Sequence, residues 1–262
     1  MKPYFNGDFY DTPPETPRRV LDKLFLNTRF YFASQVIKEI SKARKKVSNG
    51  LYDDAAWAQS SINVLKHIEG CGGRFHLRGL ENLHKAEGPV VFVSNHMSTL
   101  ETMVFPCIIA PVMKVTFVVK ESLVKQSFFG PVMRSRDPIA VGRNNPKEDF
   151  QIVMNKGQEL LKKGCSIIIF PQTTRTVEFI PEEFNSLGVK LAKKAEVQVI
   201  PVAIKTNFWG NGQLVKELGP INRTEPICMS FGAPMKIAGN GKEEHKIVVE
   251  YIEQCLKKWQ SI

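Results

Sequence analysis

The stretch VVFVSNHMSTLETMVFP, residues 90–106, changes character halfway along. It opens on an apolar run with the composition of a buried strand and leaves that run at Asn95-His96. Ser98-Thr99-Leu100-Glu101 then fits a Ser-x-x-Glu capping box, in which Ser98 accepts from the Glu101 amide and the Glu101 side chain returns to the Ser98 amide. A strand passing directly into a helix is the repeating unit of an α/β sheet. Capping alone accounts for Ser98 and Glu101, but not for Asn95-His96 at the end of the strand.

The same texture continues outward. Strands are expected at 74–79 (RFHLRG), 90–95, 115–120 (VTFVVK), 165–170 (CSIIIF), 197–204 (VQVIPVAI) and 227–232 (ICMSFG). Helices are expected near 98–109, 121–135, 146–163, 186–195 and 242–260. This alternation predicts an α/β fold with a largely parallel central sheet flanked by helices. Upstream, residues 1–19 are polar and Pro-rich, which predicts an irregular arm. From about Pro17 to Val47 a helical stripe runs through Leu26, Phe30, Ala33, Ile37 and Ile40, widened by Leu21, Leu24, Phe25, Phe32 and Val36. After a stop at 48–50, Leu51, Ala55, Ala58, Ile62 and Leu65 mark a second helix. The expected organisation is an arm over 1–19, an N-terminal helical hairpin over 20–70 and an α/β domain over 71–262.

Composition narrows the functional classes. Thirty-six Lys and Arg against 26 Asp and Glu leave a net charge of +10, which favours an acidic partner: a lipid surface, a nucleotide-bearing cofactor or nucleic acid. The basic residues are dispersed and accompany no RNA- or DNA-reading motif, so no nucleic acid partner is expected. Five widely spaced cysteines without a Cys-x-x-Cys suit a reducing cytosol and neither a disulfide framework nor a zinc ribbon. The most apolar tract, Met103 to Val119, is interrupted by Pro106, Pro111 and Lys114, so membrane contact is expected to be peripheral.

In open α/β sheets sites form where chain leaves the strands, and two polar segments lie at such exits. In the first, His96 and Glu101 are five apart, which within one helix would turn their side chains ~140° from each other. A His96 in the turn before the helix escapes that projection and can face a Glu in the first turn. A carboxylate there would fix the imidazole tautomer and stabilise imidazolium, as in triad chemistry. The helix N-terminus would favour a neutral resting ring, as a general base requires. The second segment is FPQTTRT, 170–176, in which Arg175 with the Thr173 and Thr174 hydroxyls suits a phosphate or other anionic head group, or else a solvated strand exit. Arg143 in RDPIAVGRNNP, 136–146, is a further anion ligand or surface charge. No metal is expected, because His96 and Glu101 lack a third His or Cys nearby. His67, His76, His84 and His245 are read as packing or surface residues.

Asn95-His96-x-x-x-x-Glu101 resembles the Asn-His-x-x-x-x-Asp block of the glycerolipid acyltransferases, the PlsC-like 1-acylglycerol-3-phosphate and lysophospholipid acyltransferases. FPQTTRT is similar to that family's Phe-Pro-Glu-Gly-Thr-Arg-Ser block, and VIPVAI, 199–204, to its Pro-Val block. LRGLENL (77–83), 117–143 and SFGAPMKI (230–237) resemble the intervening family stretches in order. The resemblance implies acyl transfer from acyl-CoA or acyl carrier protein, as donor substrate and without a cofactor, to a hydroxyl of a lysophospholipid or related acceptor. It implies His96 as base, Glu101 as its partner, and Arg143 and Arg175 as the ligands of the head-group phosphate. Glu101 stands where the family has aspartate, Gln172 where it has glutamate, and Thr173 where it has glycine. A basic amphipathic hairpin with KARKK at 42–46 would suit the cytoplasmic face of a membrane, apolar side inward, or a pair packed on the main domain. A second reading keeps the fold and lipid binding without catalysis, the loop at Gln172-Thr173 having lost its function.

Overall fold

Residues 1–25, 28–172, 174–212 and 219–260 are described in a computed structural model. In chain order the described elements are β1 (Phe9–Asp11), α1 (Val20–Leu24), α2 (Arg29–Ser48), α3 (Asp54–Gly70), β2 (Phe75–Arg78), β3 (Val90–Ser94), α4 (Leu100–Ile109), β4 (Val115–Lys120), α5 (Glu121–Lys125), α6 (Gly130–Arg134), β5 (Ile139–Val141), α7 (Pro146–Lys162), β6 (Ser166–Ile169), α8 (Leu187–Lys194), β7 (Gln198–Lys205), β8 (Ile227–Phe231) and α9 (Lys242–Trp259). They build one eight-stranded sheet of order β1-β2-β8-β7-β3-β6-β4-β5. Only the β1–β2 and β7–β8 pairs are antiparallel, so the sheet is largely parallel as expected.

All six expected strands form. Two more were not expected, and both are three residues long, too short to show a period of two. β5 continues the parallel array beside β4, with Val118 opposite Ile139. β1 corrects the reading of 1–19 as wholly irregular, because it pairs antiparallel with β2 at the sheet edge, Phe9 opposite Arg78. The expected helix at 121–135 is two short helices, since Gln126 turns extended (φ −57°, ψ 139°) and Pro131 starts a new first turn.

Burial explains why the central strands read as continuous apolar runs. In β3, Val90 and Phe92 face a core shared with α3 and α4, whereas Val91 and Val93 face one shared with α7, α8 and α9. Both faces are covered, so no position of β3 is left for water.

α2 and α3 join the first of these cores rather than standing apart from it. Phe32 and Val36, which only widened the expected stripe, are buried in α2 along with Tyr31, Glu39 and Ala43, while Phe30 and Ile37 are exposed. Leu26, also on that stripe, lies outside the described residues. α3 is stitched to α4 at a helix defect. Pro106 has no N–H to donate within α4, and Ser61 of α3 fits against the turn, donating to the Met103 carbonyl (2.7 Å) and accepting from the Cys107 amide (2.9 Å). This joint fixes the helix that carries Glu101.

Candidate active site

The exit of β3 is tied down before the site begins. Asn95 extends the β3–β7 ladder with its side chain, donating from Nδ2 to the Ile204 carbonyl and accepting from the Ile204 amide, each at 2.9 Å. That pairing supplies the structural reason for asparagine at this position. The chain then turns, and α4 starts at Leu100, with His96 in the turn before it.

His96 and Glu101 meet. Nδ1 lies 2.8 Å from Oε1, and the same oxygen accepts from the Met97 amide (2.8 Å) and the Ser98 amide (2.9 Å). Three groups converge on one carboxylate oxygen, which can only accept, so Nδ1 carries a proton and a neutral ring would have its lone pair on Nε2. Oε2 accepts from the Ser98 hydroxyl (2.9 Å) and the Thr206 hydroxyl (2.7 Å). Half of the expected capping box forms, the return of Glu101 to the Ser98 amide. The Ser98 hydroxyl accepts instead from the Leu100 amide (3.0 Å). Glu101 has no solvent exposure, and burial on its own would raise its pKa. The hydrogen bond and charge of His96, the Ser98 amide and the Thr206 hydroxyl outweigh that, and the carboxyl sits below its ordinary value.

The exit of β6 closes over the same turn. Gln172 is buried; its Oε1 accepts from the His96 amide (2.7 Å) and its Nε2 donates to the Thr176 hydroxyl (2.8 Å), while the Thr176 amide donates to the His96 carbonyl (3.0 Å). A neutral amide can accept on one side and donate on the other, so glutamine fits this bridge without a charge. Phe170 stacks on the His96 ring, centroids 4.2 Å apart and planes 20° apart. Thr173 lies outside the described residues, and Thr174 is exposed and does not line the cavity below.

A largely apolar cavity of about 800 Å³ opens at His96, within the usual size of a small-molecule site at about 300–1,000 Å³. Phe170, Phe117, Met103 and Ile40 are among its walls, and α2, α3, β4 and α6 enclose it. Arg143, from the exit of β5, and Arg175, from the exit of β6, line the same cavity. Burial, then the positive charge of Arg175, hold the Arg143 guanidinium below its ordinary pKa, with Asp149 acting in the opposite sense. Arg143 also has a left-handed backbone (φ 65°), held by its own amide and that of Gly142 donating to Asp149 at 2.8 and 2.9 Å.

The fold thus brings His96, Glu101, Arg143 and Arg175 together at the C-terminal ends of β3, β5 and β6. Sequence reasoning missed Lys120, at the exit of β4, which lines the cavity, and Thr206, just past β7. Lys120 had a usable signal, a cation ending an apolar run, as Arg143 did. Thr206 had none, being brought to Glu101 across 105 residues of chain. Among the described residues no group of three or more His, Cys, Asp and Glu is placed to hold a metal ion.

Residues 74–205 match the acyltransferase family. Over 206 residues the chain is 32% identical to a 1-acyl-sn-glycerol-3-phosphate acyltransferase of Pseudomonas aeruginosa, covering 78% of this chain and 74% of that protein. It is 28% identical to the chloroplastic 1-acyl-sn-glycerol-3-phosphate acyltransferase LPAT1 of Arabidopsis thaliana over 56% of this chain and only 38% of that one. The crystal structure of PlsC, the 1-acyl-sn-glycerophosphate acyltransferase of Thermotoga maritima, superposes with a TM-score of 0.55 over 78% of this chain and 83% of the other at 20% identity, a likeness of fold. A family match across half the chain, joined to 32% identity over most of a curated acyltransferase, makes this chain a member of the acyltransferase family.

Proposed function

We propose that this acyltransferase moves a fatty acyl group from a thioester, carried by coenzyme A or by acyl carrier protein, to the free hydroxyl of a 1-acylglycerol-3-phosphate or related lysophospholipid. The observation that carries the proposal is the His96–Glu101 pair at the head of a mainly apolar cavity that Arg143 and Arg175 also line. His96 Nε2 takes the proton of the acceptor hydroxyl as its oxygen attacks the thioester carbonyl. The electron pair of the carbonyl moves to oxygen, the C–S bond then breaks, and the proton passes from His96 to the departing thiolate. No covalent enzyme intermediate is needed, because the substrate supplies the nucleophile.

Two cations lining one cavity suit a phosphate. An anion between Arg143 and Arg175 relieves their mutual repulsion and engages guanidinium groups geometrically matched to phosphate oxygens. Arg143→Ala and Arg175→Ala are each expected to raise the KM for the lysophospholipid about 10- to 100-fold, the range of a hydrogen bond to a charged group, with the thioester KM little changed. Initial-rate kinetics with each substrate varied in turn checks this; a rise in the thioester KM alone would reassign the arginines to the donor.

The reading places the enzyme peripherally on the cytoplasmic face of a membrane. Among the described residues no helix is long and apolar enough to cross a bilayer. α1 exposes Val20, Leu21 and Leu24, followed by Phe25, with Lys23 among them, and α2 exposes Phe30 and Ile37 and carries Arg44, Lys45 and Lys46. Such a face suits insertion among acyl chains with its cations at anionic head groups. Leu24→Asp combined with Phe25→Asp is expected to weaken binding to phosphatidylglycerol vesicles by at least about tenfold, given about 1.5–3 kcal/mol per buried large apolar side chain. Flotation with liposomes measures it, and unchanged flotation would remove α1 from the membrane contact.

The deciding experiment for the function is thiol release from the thioester by the purified chain over a panel of lysolipid acceptors, with palmitoyl-CoA and palmitoyl carrier protein in parallel. Acceptor-dependent release with 1-acylglycerol-3-phosphate is expected. Liposome binding without release from either donor would favour the non-catalytic reading.

A further inference from the structure

We propose that Thr206 is a positioning residue matched to the glutamate at 101, fixing the far oxygen of that carboxylate so that its near oxygen holds His96. The proposal rests on the acyl-transfer reading above. Glu101 has more rotatable bonds than an aspartate and must be held at both ends to present one oxygen to an imidazole. Oε1 is fixed by His96 and by the Met97 and Ser98 amides. Oε2 is fixed by Ser98 and Thr206, and of the five donors among the described residues only Thr206 comes from outside the 96–101 turn.

Thr206 is suited to that task. It has no solvent exposure, and as a β-branched residue it is stiff about χ1. Its carbonyl and its hydroxyl each lie 3.1 Å from the Ser98 hydroxyl, so Thr206 also packs against the other group that meets Oε2. Further along this exit, Asn211 Nδ2 donates to the Met97 carbonyl (2.9 Å), so the chain beyond β7 meets the stretch after His96 at Met97 as well as at Ser98 and Glu101. An aspartate at 101 would be shorter by one carbon–carbon bond, about 1.5 Å. Hydrogen bonds of 2.7 and 2.8 Å on opposite oxygens do not both survive that retreat. Glutamate with Thr206 therefore acts as a unit, and the threonine is what turns the longer side chain into a working partner for His96.

The test is a double-mutant cycle on the purified full chain, with 1-palmitoylglycerol-3-phosphate as acceptor and palmitoyl-CoA or palmitoyl carrier protein, whichever the panel finds active. Thr206→Val is expected to lower kcat about 10- to 100-fold, the range of a hydrogen bond to a charged group, with KM for both substrates little changed. Thr206→Ser should restore most of kcat, since it keeps the hydroxyl. In an Glu101→Asp background, Thr206→Val should have less than about a third of its logarithmic effect, because the contact it removes is already lost. Full kcat in Thr206→Val, equal damage in Thr206→Ser, or additive losses in the cycle would each overturn the proposal. Thr206→Ala completes the same cycle if the valine variant does not fold. His96→Ala is assayed alongside. Activity there overturns the base assignment beneath the proposal, whereas an inactive His96→Ala with an unaffected Thr206→Val overturns the proposal alone.

Discussion

His96→Ala is expected to lower acyl transfer by at least about 10³-fold while leaving the fold in place, as general-base catalysis is worth about 10²–10⁴-fold and triad residues act as a unit. The expectation follows from the direction of the imidazole. Nδ1 is committed to a carboxylate oxygen that already accepts two amide protons, so Nε2 is the basic atom and the cavity opens at this ring. Alanine removes the base and leaves the Glu101 carboxylate with four of its five donors. Thioester turnover and thermal unfolding on the same preparation separate lost chemistry from lost structure. Near-normal turnover in a folded variant would refute His96 as the base.

Glu101→Gln should show a smaller deficit, about 10²- to 10³-fold in kcat, because it removes charge while keeping shape. The amide oxygen can take the place of Oε1 and still accept from His96, Met97 and Ser98. The amide nitrogen would then face two hydroxyls, and both can rotate to accept from it. What disappears is the negative charge that stabilises imidazolium as His96 takes the proton. A pH experiment isolates the same charge in the folded state. The Glu101 pKa is depressed on folding, so its carboxylate contributes stability that is fully present above the unfolded-state glutamate value. That contribution is lost as pH falls through the lower folded value. Glu101→Gln should remove this acid-side loss, so unfolding temperatures of variant and wild type should converge as pH is lowered through that window. Parallel curves for the two proteins would show that Glu101 does not carry it.

The legible parts of this fold were those with local causes. The apolar strand at 90–94 and the turn at Asn95-His96 are decided by their own residues, and the same holds for β6 and Arg175. The three-residue strands β1 and β5 have no pattern of their own and exist because a longer neighbour offers them an edge. α2 shows a different limit. Phe30 and Phe32 are alike in sequence, yet one is 66% exposed and the other 2%, and it is Phe32 that meets Trp209 from a distant part of the chain. At the site, the His96–Glu101 pairing followed from placing His96 in the turn before the helix. Thr206 and the Gln172 bridge are long-range, and spacing along the chain does not reveal them.

The left-handed backbone at Arg143 has a consequence for any attempt to harden this protein. Glycine or asparagine would occupy that conformation with less strain, whereas a long side chain there stores on the order of 1–2 kcal/mol. Variants chosen only for heat resistance would therefore tend to drift away from arginine at 143, gaining stability while losing the cation beside Arg175. Selection for robustness and selection for turnover pull this position in opposite directions.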